Sequence, residues 1–261
     1  MDASPPATPA WAPPMLALQF LTRLPMPWLD RLNGDQAREG LRRSVVWFPL
    51  VGALVGATTA LAIAGGAHLW PLWIAVLVGL ALEAWLTGAF HEDAVADFCD
   101  ALGGGQDPES TLRILKDSRI GSFGAVGLIL ALALRAGSTS ALPVPLLVAG
   151  VVAAATFGRL LIVAAMVAIP PPRAAQGLAR DVAGSIRPHV LLPALLLALP
   201  GLAPLAMLAP ARLALAVGLA GLFLWWLRRL LLRRIGGATG DCLGFAAYAG
   251  QLIVLLVLAA Q

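Results

Sequence analysis

Between positions 44 and 260, apolar runs of bilayer-spanning length follow one another with short breaks. They fall at about 44–66, 69–90, 121–140, 143–169, 188–208, 210–232 and 240–260. A spanning helix needs roughly 20 mostly apolar residues, and lipid offers no partner for an open backbone. Seven such runs leave few solutions. The expected fold is an all-α, polytopic helical bundle embedded in a membrane. A mean hydropathy of +0.85 and a charged fraction of 12% exclude an ordinary soluble domain of this length.

The shorter apolar stretch 15–24 reads as an interfacial helix. The preceding MDASPPATPAWAPP lacks a basic region and an apolar run, so it is no signal peptide. Residues 1–13 are expected to form a flexible leader, and 14–261 one transmembrane domain. Cys99 and Cys242 read as small packing residues. The net charge of +4 is too small to argue for a nucleic-acid partner.

Charge placement predicts orientation. With the N-terminus in the cytoplasm, the stretches 1–43, 91–119, 170–187 and 228–241 face inward, and they carry 15 of the 18 basic residues. They also carry every acid except Glu83, so chemistry is expected on the cytoplasmic face.

One acidic segment stands out, GAFHEDAVADFCDALGGG at 88–105. No proline separates it from the second apolar run, so one continuous helix is expected. At about 100° per residue, Asp93, Asp97 and Asp100 then share one face within roughly 60°. The residues between them are apolar. Like charges four apart destabilise a helix, and a divalent cation offsets them. Carboxylates without a cysteine or histidine cluster favour Mg²⁺ or Mn²⁺ over zinc. A zinc-protease motif fails, because position 95 is Val where a second histidine is needed.

Three glycines end that helix. Asp107-Pro108-Glu109 signals the start of another, on which Arg113, Lys116 and Arg119 are expected to share a face around Asp117. A cation held by carboxylates beside a Lys/Arg pair is the combination that holds a diphosphate. GGATGDCLG at 236–244 places Thr239 and Asp241 in a glycine-rich helix start suited to an anion, with Asp241 a candidate cap. Arg159 lies within an apolar run and needs a partner, either Glu83 or an anionic substrate. Glu83 reads as a buried structural acid. Arg135 and Arg212 are assigned to outer helix ends. Arg173, Arg180 and Arg187 are placed to close over a substrate or to mark topology.

FLTRLPMP (20–27), WFPLVGALVGA (47–57), GAFHEDAVADFCDALGGG (88–105), LKDSRIGSFG (115–124) and GGATGDCLG (236–244) occur in the order seen in cobalamin synthases. The chain resembles these adenosylcobinamide-GDP ribazoletransferases over nearly its whole length. Two departures, Ala94-Val95 and Ala101 at usual glycine or Gly-Leu positions, touch backbone freedom and not ligands. The resemblance implies a Mg²⁺-dependent inner-membrane enzyme late in vitamin B12 synthesis, so that 14–261 is a catalytic domain. Its substrates would be adenosylcobinamide-GDP and α-ribazole or α-ribazole 5′-phosphate, and GMP would leave. On that footing Asp93, Asp97, Asp100 and Glu92 are the expected metal ligands. Lys116, Ser118, Arg119, Arg159, Thr239 and Asp241 are the expected substrate contacts. Asp117 and His91 are the candidate proton acceptors. Membrane lipid surrounds the bundle, and a homo-oligomer is left open.

Two rival classes are weighed. The DxxDG…AR signature of CDP-alcohol phosphotransferases is absent, which leaves an analogy of mechanism only. A divalent-cation transporter needs acids at several depths, and the outer connections carry none.

Overall fold

The computed structural model describes residues 7–172 and 186–260. Arg173, Arg180, Asp181 and the leader's first six residues lie outside that set. The described residues contain eleven α-helices, three short 3-10 turns and no strand.

α1 (Ala12–Leu21) begins two residues inside the expected leader, and Ala12 and Pro13 are buried. α2 (Gly34–Ser44) starts with a reciprocal cap between Asn33 and Gln36. α3 (Phe48–Gly66) and α4 (Leu72–Thr87) form an antiparallel pair, with Gly66 against Ala75 and Gly79 against Ile63. α5 (Phe90–Gly104), α6 (Pro108–Ile114), α7 (Ser122–Ser140) and α8 (Val144–Ala168) follow. α9 (Leu191–Leu208), α10 (Pro210–Arg234) and α11 (Gly240–Ala259) complete the bundle. Six helices are long and apolar enough to cross a membrane, and α4 with α5 makes a seventh if counted as one bent span. Each of the seven apolar runs is helical, and the second, α4, is 16 residues long and reaches spanning length only together with α5.

α8 is the hub. Its best spanning window is 78% buried, against 22% for α9 and for α10, which puts the last two at the lipid boundary. Small residues explain why. Apolar helices gain nothing by leaving lipid for one another, so close backbone approach has to supply the attraction. α8 offers Gly150, Ala153, Ala154, Ala155 and Gly158. A side chain at Gly52 of α3 would meet the Ala155 carbonyl oxygen at 2.5 Å, and one at Gly158 would meet the Ala247 carbonyl oxygen of α11 at 2.5 Å.

Gly158→Val is therefore expected to destabilise by about 1–3 kcal/mol or more, since backbone and not a movable side chain stands in the way. Gly218→Ala on α10 meets open space and is expected to be neutral. Thermal unfolding of both variants in detergent micelles checks the contrast. Equal melting temperatures would remove the case for α8 as a close-packed hub.

The expected continuous helix through 88–100 is broken. Gly88 (φ 71°) and Ala89 (φ 55°) both adopt the left-handed conformation, and α5 leaves α4 at 88°. A left-handed alanine costs roughly 1–2 kcal/mol. The FLTRLPMP segment props this corner. Arg23 N–H donates to the Leu86 carbonyl at 2.7 Å, and the Arg23 side chain lies where a side chain on Gly88 would be. Phe20 stacks on Phe48 and meets Phe90 edge-on. The corner sends α5 between α7 and α11 and antiparallel to α7, with Gly103 beside Phe123 and Glu92 beside Arg135.

Candidate active site

α5 buries every flank except its acidic one. Ala94, Val95, Ala96 and Phe98 are buried, whereas Asp93 is exposed and Asp97 and Asp100 are half-buried. Phe98 stacks on Phe245 of α11 with ring centroids 3.8 Å apart. Gly244 gives Ala94 room to bring α11 alongside. That contact delivers Asp241. The carboxylates of Asp93, Asp100 and Asp241 all bear on Asp97, so two helices distant in sequence build one acidic cluster. No cationic side chain pairs with Asp93, Asp97 or Asp241 among the described residues.

Asp100 differs from its stripe neighbours in having backbone partners. Its two carboxylate oxygens accept from the Gly121 N–H at 2.6 Å and the Gly124 N–H at 2.8 Å. It caps the start of α7, whose first N–H groups have no helical partner. Both glycines are needed there, because an added carbon on either would run into the Asp100 carboxylate. Asp100→Ala is expected to cost about 1–2 kcal/mol, the value of a lost cap. Hydrogen exchange at residues 121–125 should speed up in this variant. Unchanged exchange there would show that the cap contributes nothing.

The helix expected to carry the basic residues stops early. α6 ends at Ile114, and Lys116, Ser118 and Arg119 are exposed on the turn that follows. Arg113 therefore does not share a helical face with them. Arg119 donates to both carboxylate oxygens of Asp117, by Nε at 3.0 Å and Nη2 at 2.6 Å. These bonds hold the Asp117 carboxyl down to about 2, which makes it a weak proton acceptor while the pair is closed. The turn is tied to α5 through Asp100 and Gly121.

In the glycine-rich start of α11, the cap is Thr239 and not Asp241. The Thr239 hydroxyl accepts from Cys242 N–H at 3.4 Å. Asp241 is left half-buried and facing α5. Cys99 and Cys242 are free thiols.

His91, Glu92 and Arg159 lie apart from this surface. All three are buried, with Arg159 wholly enclosed. Glu92 Oε1 accepts from Arg135 Nη1 at 3.4 Å, so its charge is spent inside the bundle. Arg159 donates to the Ala155 carbonyl, and its Nη2 lies 3.5 Å from His91 Nδ1. Glu83 is near enough to act on the Arg159 charge but does not hydrogen-bond to it. Arg135, assigned from sequence to an outer end, is instead buried between Glu83 (2.7 Å) and Glu92. An arginine within an apolar run was the available signal, because such a charge must be paired. Arg234 gave no such signal. Its Nη2 caps the carbonyls of Leu102 and Gly105 at the end of α5.

Among the described residues no three His, Cys, Asp or Glu side chains already converge on a point that could hold a metal ion. The donor chemistry nonetheless suits Mg²⁺, which typically takes one or two carboxylates and leaves its other positions to water and substrate phosphates.

The chain matches the family described as cobalamin-5-phosphate synthase over residues 13–259. The adenosylcobinamide-GDP ribazoletransferase of Ralstonia pickettii (strain 12J) is 39% identical over 257 residues, covering 94% of each chain. That of Bradyrhizobium diazoefficiens is 36% identical, covering 94% of this chain and 92% of its own. That of Vibrio cholerae serotype O1 is 33% identical with the same coverage. No solved structure matches. A match along nearly the whole length, through every motif that builds the acidic cluster, places this chain in the cobalamin-5-phosphate synthase family.

Proposed function

We propose that the protein is an adenosylcobinamide-GDP ribazoletransferase acting late in adenosylcobalamin synthesis. A ribose hydroxyl of α-ribazole, or of its 5′-phosphate, attacks the cobinamide-linked phosphorus of the diphosphate. The new P–O bond joins the nucleoside to cobinamide, and the bond to GMP breaks. GMP leaves with the bridging oxygen, and the hydroxyl proton passes to an acceptor group.

The chain's own residues divide this work. Asp93, Asp97 and Asp241 would hold Mg²⁺, with Asp100 fixing their helix against α7. When bound, the ion would neutralise diphosphate charge and the charge developing on the leaving group. Lys116 and Arg119 would take the remaining phosphate charge, with Ser118 as a further donor. For Arg119 to do so, its pair with Asp117 has to open. Opening also frees Asp117 to accept the proton, so substrate phosphate would switch on both roles together. His91 and Arg159 are enclosed and have no part in this scheme. The same reading puts the N-terminus and the cluster on the cytoplasmic face of the inner membrane, supported by the placement of basic residues.

The observation that carries the reading is the cluster itself, with carboxylates from α5 and α11 that have no cationic partner among the described residues, beside an exposed basic turn. The test uses purified protein with adenosylcobinamide-GDP and each acceptor, with and without Mg²⁺. GMP release that needs both acceptor and Mg²⁺ is expected. Mg²⁺ uptake into proteoliposomes with no GMP release would favour a transporter and end the proposal.

A further inference from the structure

Behind the acidic cluster lies a second polar group that the reaction scheme does not use. Six helices contribute to it: Thr59 from α3, Glu83 from α4, His91 and Glu92 from α5, Arg135 and Thr139 from α7, Arg159 from α8, and Tyr248 and Gln251 from α11. Every one of these side chains is buried. Arg135 is its centre. It donates to Glu83 at 2.7 Å and to Glu92 at 3.4 Å, and its guanidinium lies 5.5 Å from the centre of the Tyr248 ring. Glu83 in turn accepts from the Thr59 hydroxyl at 2.9 Å. Several buried atoms here, including Glu92 Oε2 and Arg135 Nε, have no hydrogen-bond partner among the described residues.

Glu92 is the only member that directly precedes a residue of the acidic cluster, Asp93. On a helix, neighbours project about 100° apart. Fixing Glu92 inward on Arg135 therefore adds a charged contact, at the first turn of α5, to the packing of Ala94, Phe98 and Asp100 that sets the helix's rotation, and it bears most directly on the outward aim of Asp93. At the corner the Ala89 N–H donates to the Ala84 carbonyl of α4 at 2.7 Å and the Ala89 carbonyl accepts from Asp93 N–H at 2.9 Å, so a single residue carries the backbone link between the two helices. Glu83 holds Arg135 from α4, so the same guanidinium spans the corner on its inner side.

We propose that Arg135 is a positioning residue for the reaction, acting through Glu92 to aim the carboxylates of α5 at the metal. The proposal rests on the functional reading above. Arg135→Lys keeps the charge but offers one ammonium, which cannot span Glu83 and Glu92 as the fork does. Mn²⁺ serves as a probe for the metal, with binding to the purified protein read by electron paramagnetic resonance in the absence of substrate. Arg135→Lys and Glu92→Gln are each expected to weaken Mn²⁺ binding about tenfold and to lower kcat with little change in KM. Melting temperatures identify the folded fraction on which these values are based. The double variant is expected to be no worse than the weaker single one, because both changes break one link.

Wild-type affinity for Mn²⁺ in Arg135→Lys would overturn the proposal. So would losses that multiply in the double variant, since Glu92 would then act on the metal by itself. If wild type neither binds Mn²⁺ nor releases GMP, the functional reading fails first and takes this proposal with it. If wild type does both and the variants match it, only the positioning role fails.

Discussion

Asp93→Asn and Asp97→Asn are each expected to lower GMP release at least about 100-fold at ordinary Mg²⁺, a loss near 2.7 kcal/mol in the barrier. Asparagine keeps the size and shape of the side chain but removes the charge a hard cation needs. The fold should survive. Asp97 is bounded by Asp93, Asp100 and Asp241, and no cationic side chain among the described residues pairs with Asp93, Asp97 or Asp241, so removing one charge relieves repulsion. A melting temperature equal to or above that of wild type is therefore expected alongside the lost turnover. This pairing separates a site residue from a structural one. Near-normal GMP release by both purified variants would remove the acidic cluster from the mechanism. Loss of folded protein would show instead that the cluster is paired in a way its neighbours do not reveal. Asp241→Asn is expected to follow the same pattern, because its carboxylate reaches the cluster from α11.

Arg135→Met is expected to act in the opposite sense, on the fold before the chemistry. The change leaves Glu83 and Glu92 buried with Arg159 as the one cation near both. Breaking a buried pair by removing one partner costs about 3–5 kcal/mol, because the remaining charge cannot reach water. Two carboxylates sharing one cation put the effect within that range. Membranes should contain little of this variant, and its unfolding in detergent should fall well below wild type. The double change Arg135→Met and Glu83→Gln should recover much of the loss, since one buried carboxylate, Glu92, then faces one buried cation, Arg159. Thermal unfolding of the single and double variants together is the measurement. A single variant that melts with wild type would mean that water reaches both carboxylates.

The spanning segments were legible because lipid imposes one rule on every residue of a span. Hydropathy along 44–260 therefore places helix ends within a few residues. The corner at Gly88–Ala89 was not legible. Nothing local forbids a helix through Gly-Ala, and only the packing of Phe20, Arg23 and Phe90 around the turn selects the left-handed pair. The stripe Asp93, Asp97, Asp100 followed from helical period alone, yet its division of labour did not. Asp100 became a cap because Gly121 and Gly124 present their N–H groups to it, 21 and 24 residues away. Asp241 entered the cluster through a contact between Ala94 and Gly244 that no spacing rule encodes. Lys116 and Arg119 were expected on a helix face. The capping box at Asp107 and Ser110 starts that helix, but its C-terminal stop at Ile114 had no sequence signal such as a glycine.

The seating of α5 between α7 and α11 also constrains how the protein is made. α5 emerges from the ribosome more than 130 residues before α11. In that interval Ala94, Val95 and Phe98 have no companion on one side, and the acidic residues beside them resist entry into lipid. A nascent chain therefore holds α5 unfinished until its last helix is delivered. Translation completes the bundle and the acidic cluster in one event, so a chain cut short before α11 carries neither and presents an uncovered apolar flank of the kind that promotes aggregation.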